Sequence, residues 1–124
     1  MDKVTAVIAT LNEEEEIEEC LRNINWVDEI IVVDSYSEDK TVEIAEKYAD
    51  RIIEEESRGY MEPHRNTGIR EASHDWILRI DVDERFPDEL NDVLKEKVGS
   101  DSDIVFAPRK NIIAGKWLSC CGNW

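Results

Sequence analysis

The chain has 124 residues, about one ordinary domain, and its 41% hydrophobic and 36% charged side chains describe a globular protein able to bury a core. Thirty acidic against fifteen basic residues give a formal charge of -15, which disfavours nucleic acid and anionic membrane surfaces as direct partners unless a cation mediates. A nucleic-acid-binding role is set aside on that ground.

The first element is the β-favouring run KVTAVIAT (3–10). It follows Met-Asp-Lys-Val without the charged region, apolar stretch and cleavage site of a signal peptide, so a cytoplasmic protein is expected. Residues 13–25 then place Ile17, Cys20, Leu21 and Ile24 at i, i+3, i+4, i+7, which predicts a helix with Glu14–Glu16, Glu18 and Glu19 solvated. EIIVVD (29–34) is the second strand. SEDKT opens a second helix, with Ser37 as its expected cap and Val42, Ala45, Tyr48 and Ala49 inward.

RIIEE (51–55) predicts strand three, and Pro63 suits the first position of a helix running to about Ala72. WILRID (76–81) predicts strand four. A helix after Pro87 places Leu90, Leu94 and Val98 on one face and ends at Gly99, and DIVFAP (103–108) predicts a fifth strand. Apolar strands without alternation suit a parallel sheet covered on both faces. The fold class expected is therefore α/β, a doubly wound, mostly parallel sheet, of order 3-2-1-4 plus a further strand.

That order creates a switch point, and ligands of open α/β sheets bind outside the carboxyl ends of the strands there. TLNE (10–13), DSYS (34–37) and DVDE (81–84) would flank one crevice. If strand four extends through Asp81 and Asp83, their carboxylates point the same way and raise each other's pKa. Mg²⁺ or Mn²⁺ removes that conflict, because such ions take oxygen ligands and complete their shells with water and substrate phosphate. Arg65, Arg70 or Arg79 would help to invert the local field. A second D-x-D, Asp101 and Asp103, lacks the strand-end position.

These residues resemble a known family. T-x-N-E after strand one, V-V-D-S-x-S-x-D-x-T after strand two, R-N-x-G-I-x-x-A on the third helix and D-x-D-E after strand four together look like the donor-binding half of family 2 glycosyltransferases, in the branch resembling lipopolysaccharide core sugar transferases. The resemblance covers residues 4 to about 118. It implies a GT-A, Rossmann-like fold, with a nucleotide-sugar-binding domain over 1–110 and the start of a truncated acceptor-side region over 111–124.

It further implies that Thr10, Asn12 and Glu13 contact nucleobase and ribose, that Asp34 hydrogen-bonds base or ribose, and that Arg65 lies near the nucleotide. Asp81 would face ribose or metal and Asp83 the metal. Ser35 and Ser37 are expected to turn the chain. The implied activity is metal-dependent transfer of a sugar from a nucleotide diphosphate, with a UDP-sugar favoured, to a saccharide or lipid-linked acceptor by inverting displacement. A lipid-linked acceptor would bring the protein to the inner face of the membrane. The general base is expected beyond Trp124. A non-catalytic nucleotide-sugar-binding module is the alternative, and a nucleotidyltransferase or phosphatase is disfavoured because no G-x-G-x-x-x-R loop follows strand one.

The three cysteines do not form a disulfide framework or a zinc knuckle; Cys120 and Cys121 are adjacent, and stand where the family pattern has histidine and glycine. His64 and His74 lack ligand-spaced partners and read as packing or surface residues. The apolar tail IIAGKWLSCCGNW and an unpaired sheet edge predict a homo-oligomer, or a loose tail after about Ala114.

Overall fold

β1 (Val4–Thr10) lies between β2 (Glu29–Asp34) and β4 (Trp76–Arg79), and β3 (Arg51–Glu54) pairs on the far side of β2. All three pairings are parallel, so the order is β3-β2-β1-β4, as expected. This computed structural model describes residues 2–57, 59–60 and 62–100, together with the backbone of 111–113 and 116–118. The strand expected at 103–108 lies outside the described residues. β5 (Asn111–Ile113) and β6 (Lys116–Leu118) form an antiparallel pair of their own, so a strand stands where a loose tail was one expectation.

Four helices complete the described fold: α1 (Ile17–Asn23), α2 (Thr41–Ala45), α3 (Glu62–Glu71) and α4 (Asp88–Lys97). The central strands carry no polar alternation because helices cover both sheet faces. Ala6, Ile8, Ile30 and Val32 pack with Ile17, Cys20, Leu21 and Ile24 of α1 and Ala45 of α2 in one buried cluster. On the opposite face α3 lies on β1 and β2 through Gly68, where a Cβ would stand 2.3 Å from Val7 Cγ1. Only a residue without a side chain fits there, which accounts for the glycine of R-N-x-G-I.

Two helix starts differ from the sequence reading. Glu13–Glu16 form a turn rather than helix: the N–H groups of Glu16 and Ile17 both donate to the Glu13 carbonyl, at 3.1 and 2.9 Å. The N–H groups of Glu13 and Glu14 are drawn toward α2 instead, donating to Thr41 Oγ1 (2.8 Å) and Asp39 Oδ2 (3.2 Å). At the head of α2, Asp39 rather than Ser37 accepts the Thr41 N–H, at 2.9 Å. α4 ends at Lys97, two residues before the expected Gly99, whose φ of 83° favours glycine. It docks by Asn91, which accepts from Trp26 Nε1 at 2.9 Å and donates to the Asn23 carbonyl at 3.1 Å.

Candidate functional site

The register of β1 on β2 puts Thr10 beside Asp34 at the carboxyl end of the sheet. Thr10 Oγ1 donates to Asp34 Oδ1 (2.8 Å), and Ser37 donates twice, from its N–H to Oδ2 (2.7 Å) and from its hydroxyl to Oδ1 (2.6 Å). Asp34 is fully buried. Its carboxylate, with about four acceptor positions, therefore holds three donors of its own chain. Asn12 completes the web: its N–H donates to Ser37 Oγ and its Oδ1 accepts the Glu38 N–H, both at 2.8 Å.

Backbone strain is concentrated here. Asn12 and Tyr36 have φ of 51° and 57°. Asparagine tolerates the left-handed region through local hydrogen bonding, whereas tyrosine bears a steric cost that clusters at functional loops. Tyr36 is also exposed.

The loop after β4 corrects the expected geometry of the acidic pair. The strand stops at Arg79, and Asp81 begins a tight turn in which its N–H donates to Glu84 Oε1 (2.7 Å) and its carbonyl accepts the Glu84 N–H (2.9 Å). The buried Val82 anchors this turn. Asp81 and Asp83 are therefore not set side by side by strand pleating. Asp81 is engaged by Arg65, whereas Asp83 is exposed.

Asp81 Oδ1 accepts from Arg65 Nη2 at 2.5 Å, and Arg65 Nη1 donates to Glu62 Oε1 at 2.8 Å. Arg79 reaches the same Glu62 oxygen at 3.0 Å, while Arg70 donates to Thr67 within α3. Of the three arginines proposed from sequence, Arg65 alone touches the D-x-D. A fourth, Arg85, was missed. It donates to the Val82 carbonyl (2.5 Å) and to Glu16 Oε2 (2.7 Å), pinning the acidic turn to the head of α1. Its place directly after D-V-D-E was the available signal.

Asp83 is exposed, and among the described residues its carboxylate has no hydrogen bond or ion pair. Glu13 stands across from it. Burial pushes the Glu13 carboxyl above its ordinary range, and the charges of Asp83, Glu16 and Asp39 push it further. Glu16 is paired with Arg85, and a divalent cation would relieve the remaining repulsion between Glu13 and Asp83. Among the described residues no three His, Cys, Asp or Glu side chains are arranged to hold a metal. Mg²⁺ does not require such a cage, being held by one or two carboxylates with water and substrate phosphate, so Asp83 with Asp81 nearby fits the group. A polar hollow of about 380 Å³ lined by Asp2, Lys3, Ser73, His74, Asp75 and Trp76 lies at the opposite ends of β1 and β4, away from this chemistry.

Thr10, Asn12, Glu13, Asp34, Arg65, Asp81 and Asp83 thus all lie at the carboxyl ends of β1, β2 and β4 or on the helix beside them. No helix among the described residues is long and apolar enough to cross a membrane.

Comparison with known proteins agrees with this arrangement. The model of glycosyl transferase family 2 matches residues 5–118. The lipopolysaccharide core biosynthesis glycosyltransferase LpsC of Rhizobium meliloti is 32% identical over 107 residues, covering 82% of this chain and 39% of that protein. Among solved structures, S. aureus TarS 1-349 superposes with a TM-score of 0.68 at 25% identity, over 78% of this chain and 32% of that one. Glucosyl-3-phosphoglycerate synthase from Mycobacterium tuberculosis, in complex with Mg²⁺ and UDP, gives 0.55 at 29% identity, over 69% and 35%. The chain spans about a third of the length of the curated relatives it matches. With the 3-2-1-4 sheet, the switch-point loops and the family match over nearly the whole sequence in agreement, this chain is a member of glycosyl transferase family 2 with a GT-A, Rossmann-like fold.

Proposed function

We propose that this chain forms the donor side of a sugar transferase and binds a nucleoside diphosphate sugar, a UDP-sugar in preference, across the ends of β1, β2 and β4. The observation that carries this reading is the gathering of the Thr10–Asp34–Ser37–Asn12 web, the Arg65–Asp81 pair and the exposed Asp83 carboxylate at the same end of the sheet. The solved relative that holds Mg²⁺ and UDP supports it.

Thr10, Asn12 and Glu13 would meet base and ribose. Asp34 has one acceptor position left beyond its three internal donors, so its ligand role is limited to a single hydrogen bond. Asp83 would be the principal protein ligand of Mg²⁺ or Mn²⁺, with Asp81 turned toward ribose or metal. When bound, such an ion supplies Lewis-acid stabilisation of negative charge on the departing diphosphate. Arg65, already beside Asp81, adds a fixed positive charge at the same place. Direct displacement at the anomeric carbon, with inversion, follows the family chemistry; the base for the acceptor hydroxyl is assigned to no residue of this chain. Residues 1–110 would bind donor and 111–124 begin the acceptor side. The acceptor is a saccharide or lipid-linked sugar, met in the cytoplasm or at the inner membrane face, and the protein acts as a homo-oligomer.

Calorimetric titration with UDP, GDP, CMP and dTDP, with and without Mn²⁺, tests the reading without an acceptor. Metal-dependent binding of UDP is expected. Failure of all four nucleotides to bind in either condition refutes it.

A further inference from the structure

A polar cluster with two buried members lies beside these loops and has no part in the assignments above. It joins Ser35 after β2, Glu55 after β3 and His64 in the first turns of α3. The His64 ring is fully buried, and its Nε2 stands 2.6 Å from Ser35 Oγ and 2.9 Å from the Glu55 carbonyl oxygen. A carbonyl oxygen only accepts, so Nε2 carries hydrogen and donates to Glu55, with Ser35 Oγ close enough to share it. Glu55 is itself tied in: its N–H donates to the Asp34 carbonyl (2.9 Å) and its Oε1 accepts from Thr67 Oγ1 (2.8 Å). Its Oε2 faces His64 Nδ1 at 3.4 Å, and among the described residues neither atom has a hydrogen-bond partner.

Serine, histidine and a carboxylate in this order suggest a nucleophile, but two facts oppose that use. Ser35 is only 7% exposed, and the Nε2 hydrogen bound to Glu55 leaves no lone pair to take a serine proton. What the cluster does is mechanical. His64 and Arg65 are consecutive on α3, so the ring that fixes His64 against Ser35 and Glu55 also fixes the rotation of the helix from which Arg65 reaches Asp81. One turn later Gly68 seats the same helix on Val7.

We propose that His64 is a positioning residue that couples the loop after β2 to the Arg65–Asp81 pair, so that the two halves of the crevice keep one relative geometry. Its consequence for ligand binding rests on the nucleotide-sugar reading above; the coupling itself is a property of the ligand-free chain. His64→Gln places an amide N–H where Nε2 lies and preserves the link to Glu55, whereas His64→Leu keeps bulk without a donor.

The test uses the full chain and two readouts. In ligand-free protein, NMR exchange of the Arg65 Nε–H should quicken by about tenfold in His64→Leu and by about threefold in the milder Ser35→Ala, with His64→Gln near wild type and the Arg85 Nε–H unchanged as control. With UDP and Mn²⁺, affinity should fall by about tenfold in His64→Leu and stay within about threefold in His64→Gln. Unchanged Arg65 exchange in folded Ser35→Ala or His64→Leu overturns the coupling, as does equal acceleration at Arg65 and Arg85, which marks general loosening. A wild-type chain that binds no nucleotide removes the donor-site reading while the exchange measurement still decides the coupling.

Discussion

Arg65 and Asp81, sixteen residues apart in sequence, meet with Nη2 and Oδ1 at 2.5 Å, while Asp83 two positions on stays exposed. The D-x-D motif is therefore electrostatically asymmetric. Among the described residues one carboxylate has an internal counter-ion and the other does not, so a divalent cation bound as proposed would be drawn first to Asp83. Asp83→Asn should weaken metal-dependent UDP binding by about tenfold or more, a cost of about 1.4 kcal/mol. Asp92→Asn on α4 is the control; equal losses in calorimetry would show that bulk acidity rather than this position matters.

Removing the guanidinium should separate metal from nucleotide. In Arg65→Ala the Asp81 carboxylate is released, so Mn²⁺ alone should bind more tightly, measured by proton relaxation of bound water. UDP affinity should fall in the same variant, because the fixed positive charge that would lie near the diphosphate is lost. Unchanged affinity for both would place Arg65 outside the site.

Asp34 has a structural duty that can be measured without ligand. In Asp34→Ala the Thr10 hydroxyl and both Ser37 donors lose their acceptor, which should cost roughly 2 kcal/mol or more of stability in urea unfolding. Nucleotide affinity should drop as well, by roughly 1–3 kcal/mol, if the remaining acceptor position serves the ligand. Lost stability with intact affinity would reduce Asp34 to a scaffold for the two loops.

Gly68→Ala puts a methyl group 2.3 Å from Val7 Cγ1. Overpacking of this kind costs about 1–3 kcal/mol, and relief requires α3 to lift from the sheet. A lower melting temperature should therefore accompany weaker UDP binding, since Arg65 and His64 travel with the helix. Val7→Ala should restore part of both in Gly68→Ala.

Glu13 predicts an inverted pH effect. Its folded carboxyl titrates above the ordinary range because of burial, then Asp83, Glu16 and Asp39, so the ionised form is disfavoured by folding. The favourable contribution is present below the unfolded pKa of about 4.5 and is lost as pH rises through the folded value. Without metal, Glu13→Gln should raise the melting temperature at pH 7, and the gain should disappear in scans below about pH 4. A gain that persists unchanged at acid pH would assign the effect to something other than charge.

Sheet order and the gathering of the three loops at the carboxyl ends of β1, β2 and β4 were legible because they depend on apolar runs and crossover rules that act over many residues. The details that escaped depend on single long-range contacts. Strand four was read through Asp81 because its composition favours β structure; the Glu84 carboxylate instead takes the Asp81 N–H and turns the chain. Ser37 has the chemistry of a helix cap, yet its hydroxyl is used on Asp34, leaving the helix head to Asp39. His64 was set aside as a packing residue, which its burial supports, but its partner Ser35 lies 29 residues away and leaves no spacing signal.

The web joining Thr10, Asn12, Asp34 and Ser37 bears also on the entropy of recognition. Loops that carry ligand contacts commonly lose conformational freedom on binding, about 1–2 kcal/mol for each residue whose backbone becomes fixed. Here Asn12 is already held by Ser37 Oγ and the Glu38 N–H, and the strained backbone at Asn12 and Tyr36 is already in place before any ligand arrives. The unfavourable ordering of this part of the chain belongs to the folding reaction, and a nucleotide bound as proposed would meet a preformed surface.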